Sequence, residues 1–203
     1  MNEEIDHLKD GVLLVRLQTK ENGITALRKM GNNEFADIIM EKQLQQNKEI
    51  ISAFKNNFTF CPAYFFLSNY SDSVLSKQIN GIVFLDDNLQ PDTTVKLNNR
   101  KFLTAEFGII EQDPAKYFSG YYYYQGENGL ERRSAYDGGP DLRFGALKIM
   151  NDKLVQLKRP FPYYVRTFNS TPFKRKFSKV VRKMNKNLFS YYYSFISQLA
   201  EPQ

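Results

Sequence analysis

Two apolar runs separated by a stretch of helical spacing constrain this chain more than any other feature. Residues 12–17, Val-Leu-Leu-Val-Arg-Leu, follow a polar opening and stop before Thr-Lys-Glu-Asn-Gly. A run apolar at both odd and even positions suits a strand buried on both faces. Residues 58–67, Phe-Thr-Phe-Cys-Pro-Ala-Tyr-Phe-Phe-Leu, repeat that character. Between them the spacing is helical, with Ile24 and Leu27 in a first segment and Phe35, Ile38, Ile39, Ile50, Ile51 and Phe54 in a second. Gly31-Asn32-Asn33 reads as the break, because Gly suits a left-handed position at a helix end and Asn suits the next cap. Strand, helices and strand in that order predict a β-α-β unit, with its two strands parallel and helices over 22–56.

Further strands are expected at 81–85 and 102–110, separated by a polar loop with Asp86-Asp87-Asn88 and Pro91-Asp92. Residues 146–150 and 154–157 flank Asn151-Asp152-Lys153 as a hairpin would, and 163–168 follows Pro160-Phe161-Pro162 as another strand. Thr171-Pro172 pairs a capping hydroxyl with a proline at the first helical position. From there Phe173, Phe177, Val181, Met184, Leu188, Tyr192, Phe195 and Leu199 recur every three or four residues, predicting one amphipathic helix that ends before Pro202. The expected architecture is a single α/β domain over 1–203: a mixed sheet of about five to seven strands flanked by helices, with a long amphipathic C-terminal helix. A Tyr- and Gly-rich segment at about 113–143 reads as an insertion, either an elaborated loop or a short hairpin.

The composition removes several chemistries. The chain has 203 residues, one Cys and one His. One cysteine forbids an internal disulfide, and one histidine in a polar N-terminal segment leaves His-based triads and His-rich metal sites without their parts; His7 reads as solvated. No cofactor is expected, since neither phosphate-loop pattern occurs. Cys61-Pro62 lacks the spacing of the thiol peroxidases, because the positions seven and three residues earlier hold Phe54 and Phe58. Cys61 is therefore expected to be a small buried hydrophobe. No stretch approaches the ~18 consecutive apolar residues of a membrane-spanning helix, and the opening residues do not form a signal peptide. The cytoplasm is the default compartment, although an exported mature chain would look the same.

Charge is distributed unevenly. Residues 1–152 carry 17 Lys or Arg against 21 Asp or Glu, whereas residues 153–203 carry 11 against 1, with no acid between Asp152 and Glu201. Projected on the C-terminal helix, Arg175, Lys176, Lys179, Arg182, Lys183 and Lys186 fall opposite the apolar stripe. Such a face is either simply solvated or contacts an anionic partner: an acidic protein, a nucleic acid or an anionic surface. A second candidate is the Tyr/Gly/Arg segment, where Tyr122, Tyr124, Arg132, Arg133, Asp137, Asp141 and Arg143 could gather around a ligand; the competing reading is a solvated turn at Asp137-Gly-Gly-Pro-Asp141. The expected function is a non-catalytic interaction domain using the basic helix or this loop. The alternative is an enzyme or small-ligand binder with a polar pocket at Asp137, Asp141 and Arg143.

Overall fold

A computed structural model of the chain describes residues 3–97, 100–110, 117–126, 129–136, 144–168 and 175–200. The expected central strand is β1 (Val12–Leu17), and the two predicted helices are α2 (Glu21–Lys29) and α3 (Asn33–Asn57), separated where Gly31 adopts φ 78°. The parallel partner of β1 is β2 (Ala63–Leu67), in the register Leu13↔Ala63 to Leu17↔Leu67. This strand is half as long as the apolar run suggests. Phe58 still bonds back to Phe54 O as the helix cap, the backbone N–H groups of Thr59 and Phe60 both donate to Asn185 Oδ1, and Pro62 has no N–H to offer. Residues 58–62 therefore enter the core as an irregular lead-in, with Phe58, Phe60 and Cys61 buried.

On the other side of β1 lies β4 (Phe102–Ile109), also parallel; β3 (Phe84–Leu85) pairs antiparallel with β2. The antiparallel edge is built by β7 (Gly145–Met150) on β4 and β8 (Tyr164–Arg166) on β7. The six strands run β3-β2-β1-β4-β7-β8, so the sheet is mixed and the fold is a single-domain α/β arrangement. Two expected strands shrink. Residues 81–85 yield only two strand residues because Gly81 closes a 3-10 turn, and residues 154–157 make one bridge, Met150↔Gln156, instead of a hairpin arm. Asn151 Oδ1 accepts the N–H groups of Lys153 and Val155, and Leu154 sits at φ 57°; the turn stays tight and the rest of that edge of β7 pairs with β8. The segment 113–143 contains a hairpin, β5 (Tyr117–Gly126) against β6 (Gly129–Tyr136), forming its own two-stranded sheet.

The polar opening hides a helix that the sequence reading missed, α1 (Glu3–Asp10), whose Ile5 and Leu8 are fully buried. It leads into β1 through Gly11, where a Cβ would come within 2.2 Å of Lys101 O and 2.3 Å of His7 O. Only glycine allows that backbone approach. His7 is half-buried, and its Nε2 lies 2.6 Å from Lys101 Nζ, so it is not merely a solvated side chain. The last helix, α5 (Phe177–Ala200), begins at Phe177; Thr171, Pro172 and Phe173, expected in its first turn, lie outside the described residues.

Helices α3 and α5 lie over one face of the sheet. Ile50, Ile51 and Phe54 from α3 and Val180, Val181, Met184 and Leu188 from α5 share a core with Leu13, Val15, Leu103, Ala105, Leu147 and Ile149. Burying each such side chain contributes roughly 1.5–3 kcal/mol. The opposite face is covered by α4 (Ser71–Leu75) and the segments around Ile82 and Leu97, which enclose Val12, Leu14, Phe66 and Phe84. Expectation fails at the start of α3. Phe35 and Ile38 are 49% and 39% exposed, the small Ala36 is the buried residue there, and the next buried positions along the helix are polar, Gln43 and Asn47.

Candidate functional site

The basic face of α5 divides. Lys179, Arg182, Lys183 and Lys186 are exposed on the helix, opposite fully buried Val180, Val181, Met184 and Leu188. Arg175 and Lys176 precede the helix, contrary to the projection, because the regular helix does not extend back to them. Lys176 O accepts the N–H groups of Lys179 and Val180, which places Lys176 at the helix start. Arg175 turns back to the sheet: its N–H donates to Thr167 O and Phe168 O, its guanidinium lies 4.4 Å over the Phe168 ring, and Nη1 donates to Arg166 O at 3.4 Å. Arg182 is held as well, donating from Nε and Nη2 to Asn57 Oδ1 at 3.2 and 3.0 Å, so it ties α5 to the end of α3.

Asp137, Asp141 and Arg143 lie outside the described residues. The β5–β6 register sets Tyr122 opposite Arg133, Tyr123 opposite Arg132 and Tyr124 opposite Glu131.

A charged cluster that the sequence reading overlooked sits at the carboxyl ends of the parallel strands. Glu106 of β4 accepts from Arg16 of β1 at 2.5 Å, from Gln18 at 3.2 Å, and from Lys148 of β7 at 3.2 Å. Arg16 Nε also donates to Ser71 Oγ at 2.8 Å, and that hydroxyl donates to Ser68 O. The location is suggestive, since ligands of open α/β sheets bind where neighbouring strands depart in opposite directions from a central one, as β2 and β4 do from β1. The chemistry here is that of a cross-tie. Glu106 and Lys148 are buried, and three donors from two other strands and the β1 exit converge on one carboxylate. Gly108 makes the room, since a Cβ there would come within 2.9 Å of Glu106 Oε1. One signal was available: Arg16, Glu106 and Lys148 each interrupt an otherwise mostly apolar strand.

Cys61 is buried, and its thiol pKa is pushed up to about 12, chiefly by desolvation, against the opposing charge of Lys9 and a backbone hydrogen bond involving Leu13. The thiol stays protonated at neutral pH. Lys9 is enclosed by aromatic rings, with Nζ 5.1 Å from the Phe60 centroid and 5.2 Å from that of Phe189, and it donates to Phe60 O at 3.1 Å. Among the described residues, no group of three His, Cys, Asp or Glu could hold a metal, and no helix is long and apolar enough to cross a membrane.

No family model, curated protein or solved structure matches the chain.

Proposed function

We propose that this protein is a non-catalytic interaction domain that meets an anionic partner through the outer face of α5. The supporting observation is that Lys179, Arg182, Lys183 and Lys186 are exposed on the helix whose opposite side is fully buried, within a chain segment that has no acid from residue 153 to 200. Like charges crowded along roughly two turns of helix raise the local potential and attract negative surfaces. Acidic proteins, nucleic acids and anionic lipid all present such surfaces. Insertion of this face into a bilayer is disfavoured, because Val180, Val181, Met184 and Leu188 are committed to the core.

The test replaces Lys179, Lys183 and Lys186 together by Gln and leaves Arg182, which links the two helices through Asn57, untouched. The unmodified chain should be retained on heparin with steep salt dependence, and the triple variant, with unchanged circular dichroism, should elute at much lower salt. Equal retention of the two proteins would remove this reading.

A further inference from the structure

Beside α5, the β8 edge of the sheet carries a cleft of about 450 Å3, a size suited to a small molecule. Four cations line it, Arg159, Arg166, Arg175 and Lys183, together with Asn187 and the rings of the Tyr163-Tyr164 pair; no acidic side chain is among the described residues that line it. None of the four cations forms an ion pair among the described residues. Two are positioned by rings instead of by carboxylates. The Arg166 guanidinium lies 4.2 Å over Phe144 and 5.3 Å from the centroid of Phe168, and Arg175 lies over Phe168 at 4.4 Å. A guanidinium stacked on a ring keeps in-plane N–H donors, and their fork matches phosphoryl oxygens two at a time. Like charges gathered around a concave space raise its potential and favour an anion there.

A compact ligand fits better than an added peptide strand. The edge strand β8 has only three residues, and the carbonyl of Arg166 is already taken by Arg175. We propose that this cleft binds a small molecule carrying phosphoryl groups, with Arg166 and Arg175 contacting the phosphoryl oxygens and Arg159 and Lys183 supplying further positive charge. The site extends the basic-surface reading to a second location that shares Lys183 with the α5 ridge, but it stands on the cavity and its ring-held arginines.

The experiment is calorimetric titration of the full chain at about 50 mM salt with three probes: ADP, inorganic pyrophosphate and uncharged adenosine. ADP and pyrophosphate should bind with Kd below about 1 mM, and adenosine at least about tenfold more weakly. Arg159→Gln with Arg166→Gln should weaken ADP at least about tenfold, and so should Lys183→Glu, which changes an exposed helix position and disturbs no stacking. Lys179→Gln with Lys186→Gln, outside the cleft, should change ADP binding less than about twofold. Failure of both anions to bind the wild type, or undiminished binding by the folded Lys183→Glu protein, overturns the proposal. Heparin retention measured in parallel separates the two readings. Retention without ADP binding sinks the cleft alone, and ADP binding without retention sinks the ridge alone.

Discussion

Helices α3 and α5 are nearly equal in length, 25 and 24 residues, and share one face of the same sheet, yet they sort their side chains differently. On α5 the described part follows periodicity closely: Val180, Val181, Met184 and Leu188 are buried, while Lys179, Arg182, Lys183 and Lys186 face water. On α3 that holds only for the second half, where Ile50, Ile51 and Phe54 are buried. In the first half Phe35, Ile38, Met40 and Leu44 are exposed, whereas Ala36 and Gln43 are buried, and just past the midpoint so is Asn47. The buried amides form a chain, Gln43 Nε2 donating to Asn47 Oδ1 at 3.0 Å and Asn47 Nδ2 to Gln18 O at 2.9 Å, so they satisfy the backbone where β1 ends. Gln43 Oε1 has no hydrogen-bond partner among the described residues. A helix of 25 residues is about 37 Å long, longer than the ~20 Å that a six-residue strand spans, so part of α3 outruns the core that periodicity presumes.

That contrast can be broken most forcefully inside α3. Phe54→Ala should cost about 3–5 kcal/mol in urea denaturation, whereas Phe35→Ala, equally apolar and on the same helix, should stay within about 0.5 kcal/mol. Similar losses at both positions would mean that the overhang is covered in solution. On α5, Met184→Ala should cost about 2–5 kcal/mol, matching the core half of α3.

Asn47→Leu sharpens the comparison from the polar side. It strands Gln18 O and the Gln43 amide, and should cost roughly 1–3 kcal/mol despite adding an apolar group to a helix interior. A neutral result would show that these amides reach water.

The buried lead-in to β2 has a pH signature. With the Cys61 thiol raised to about 12 from an ordinary value of 9.0, the unfolded chain loses this proton before the folded one does. The stability is complete below pH 9 and is lost as pH rises toward 12, at about 1.4 kcal/mol per pH unit. Urea midpoints of the wild type should fall over this range more steeply than those of Cys61→Ala, and parallel curves would refute the assignment. The smallest effect belongs to the ridge: Lys179, Lys183 and Lys186 changed to Gln should shift stability by no more than about 0.5 kcal/mol, since none forms an ion pair among the described residues.

Legibility followed burial symmetry. β1 could be read because both of its faces are covered, which selects apolar residues at all but Arg16, and the break between α2 and α3 could be read because Gly31 needs a left-handed backbone. Residues 58–62 and 154–157 looked like strands because burial and strand pairing both select apolar residues, while hydrogen bonds to Asn185 and the Asn151 turn removed the pairing. The basic face was visible as a charge pattern, but its division between α5 and the cleft at β8 was not. Arg175 leaves the helix through bonds to Thr167 and Phe168, residues eight and seven positions earlier that no helical projection includes.

From the residues alone came the parallel β-α-β start, the mixed sheet, the amphipathic last helix and the segregation of charge into the C-terminal quarter, because each rests on local spacing or a count. Tertiary structure decided which strand pairs at the far edge, how far α3 outruns the sheet, that Arg16, Glu106 and Lys148 meet, and that four cations line one cleft. These depend on the folded path of the chain: Arg16 and Glu106 stand 90 positions apart and come within 2.5 Å only once β1 and β4 have paired.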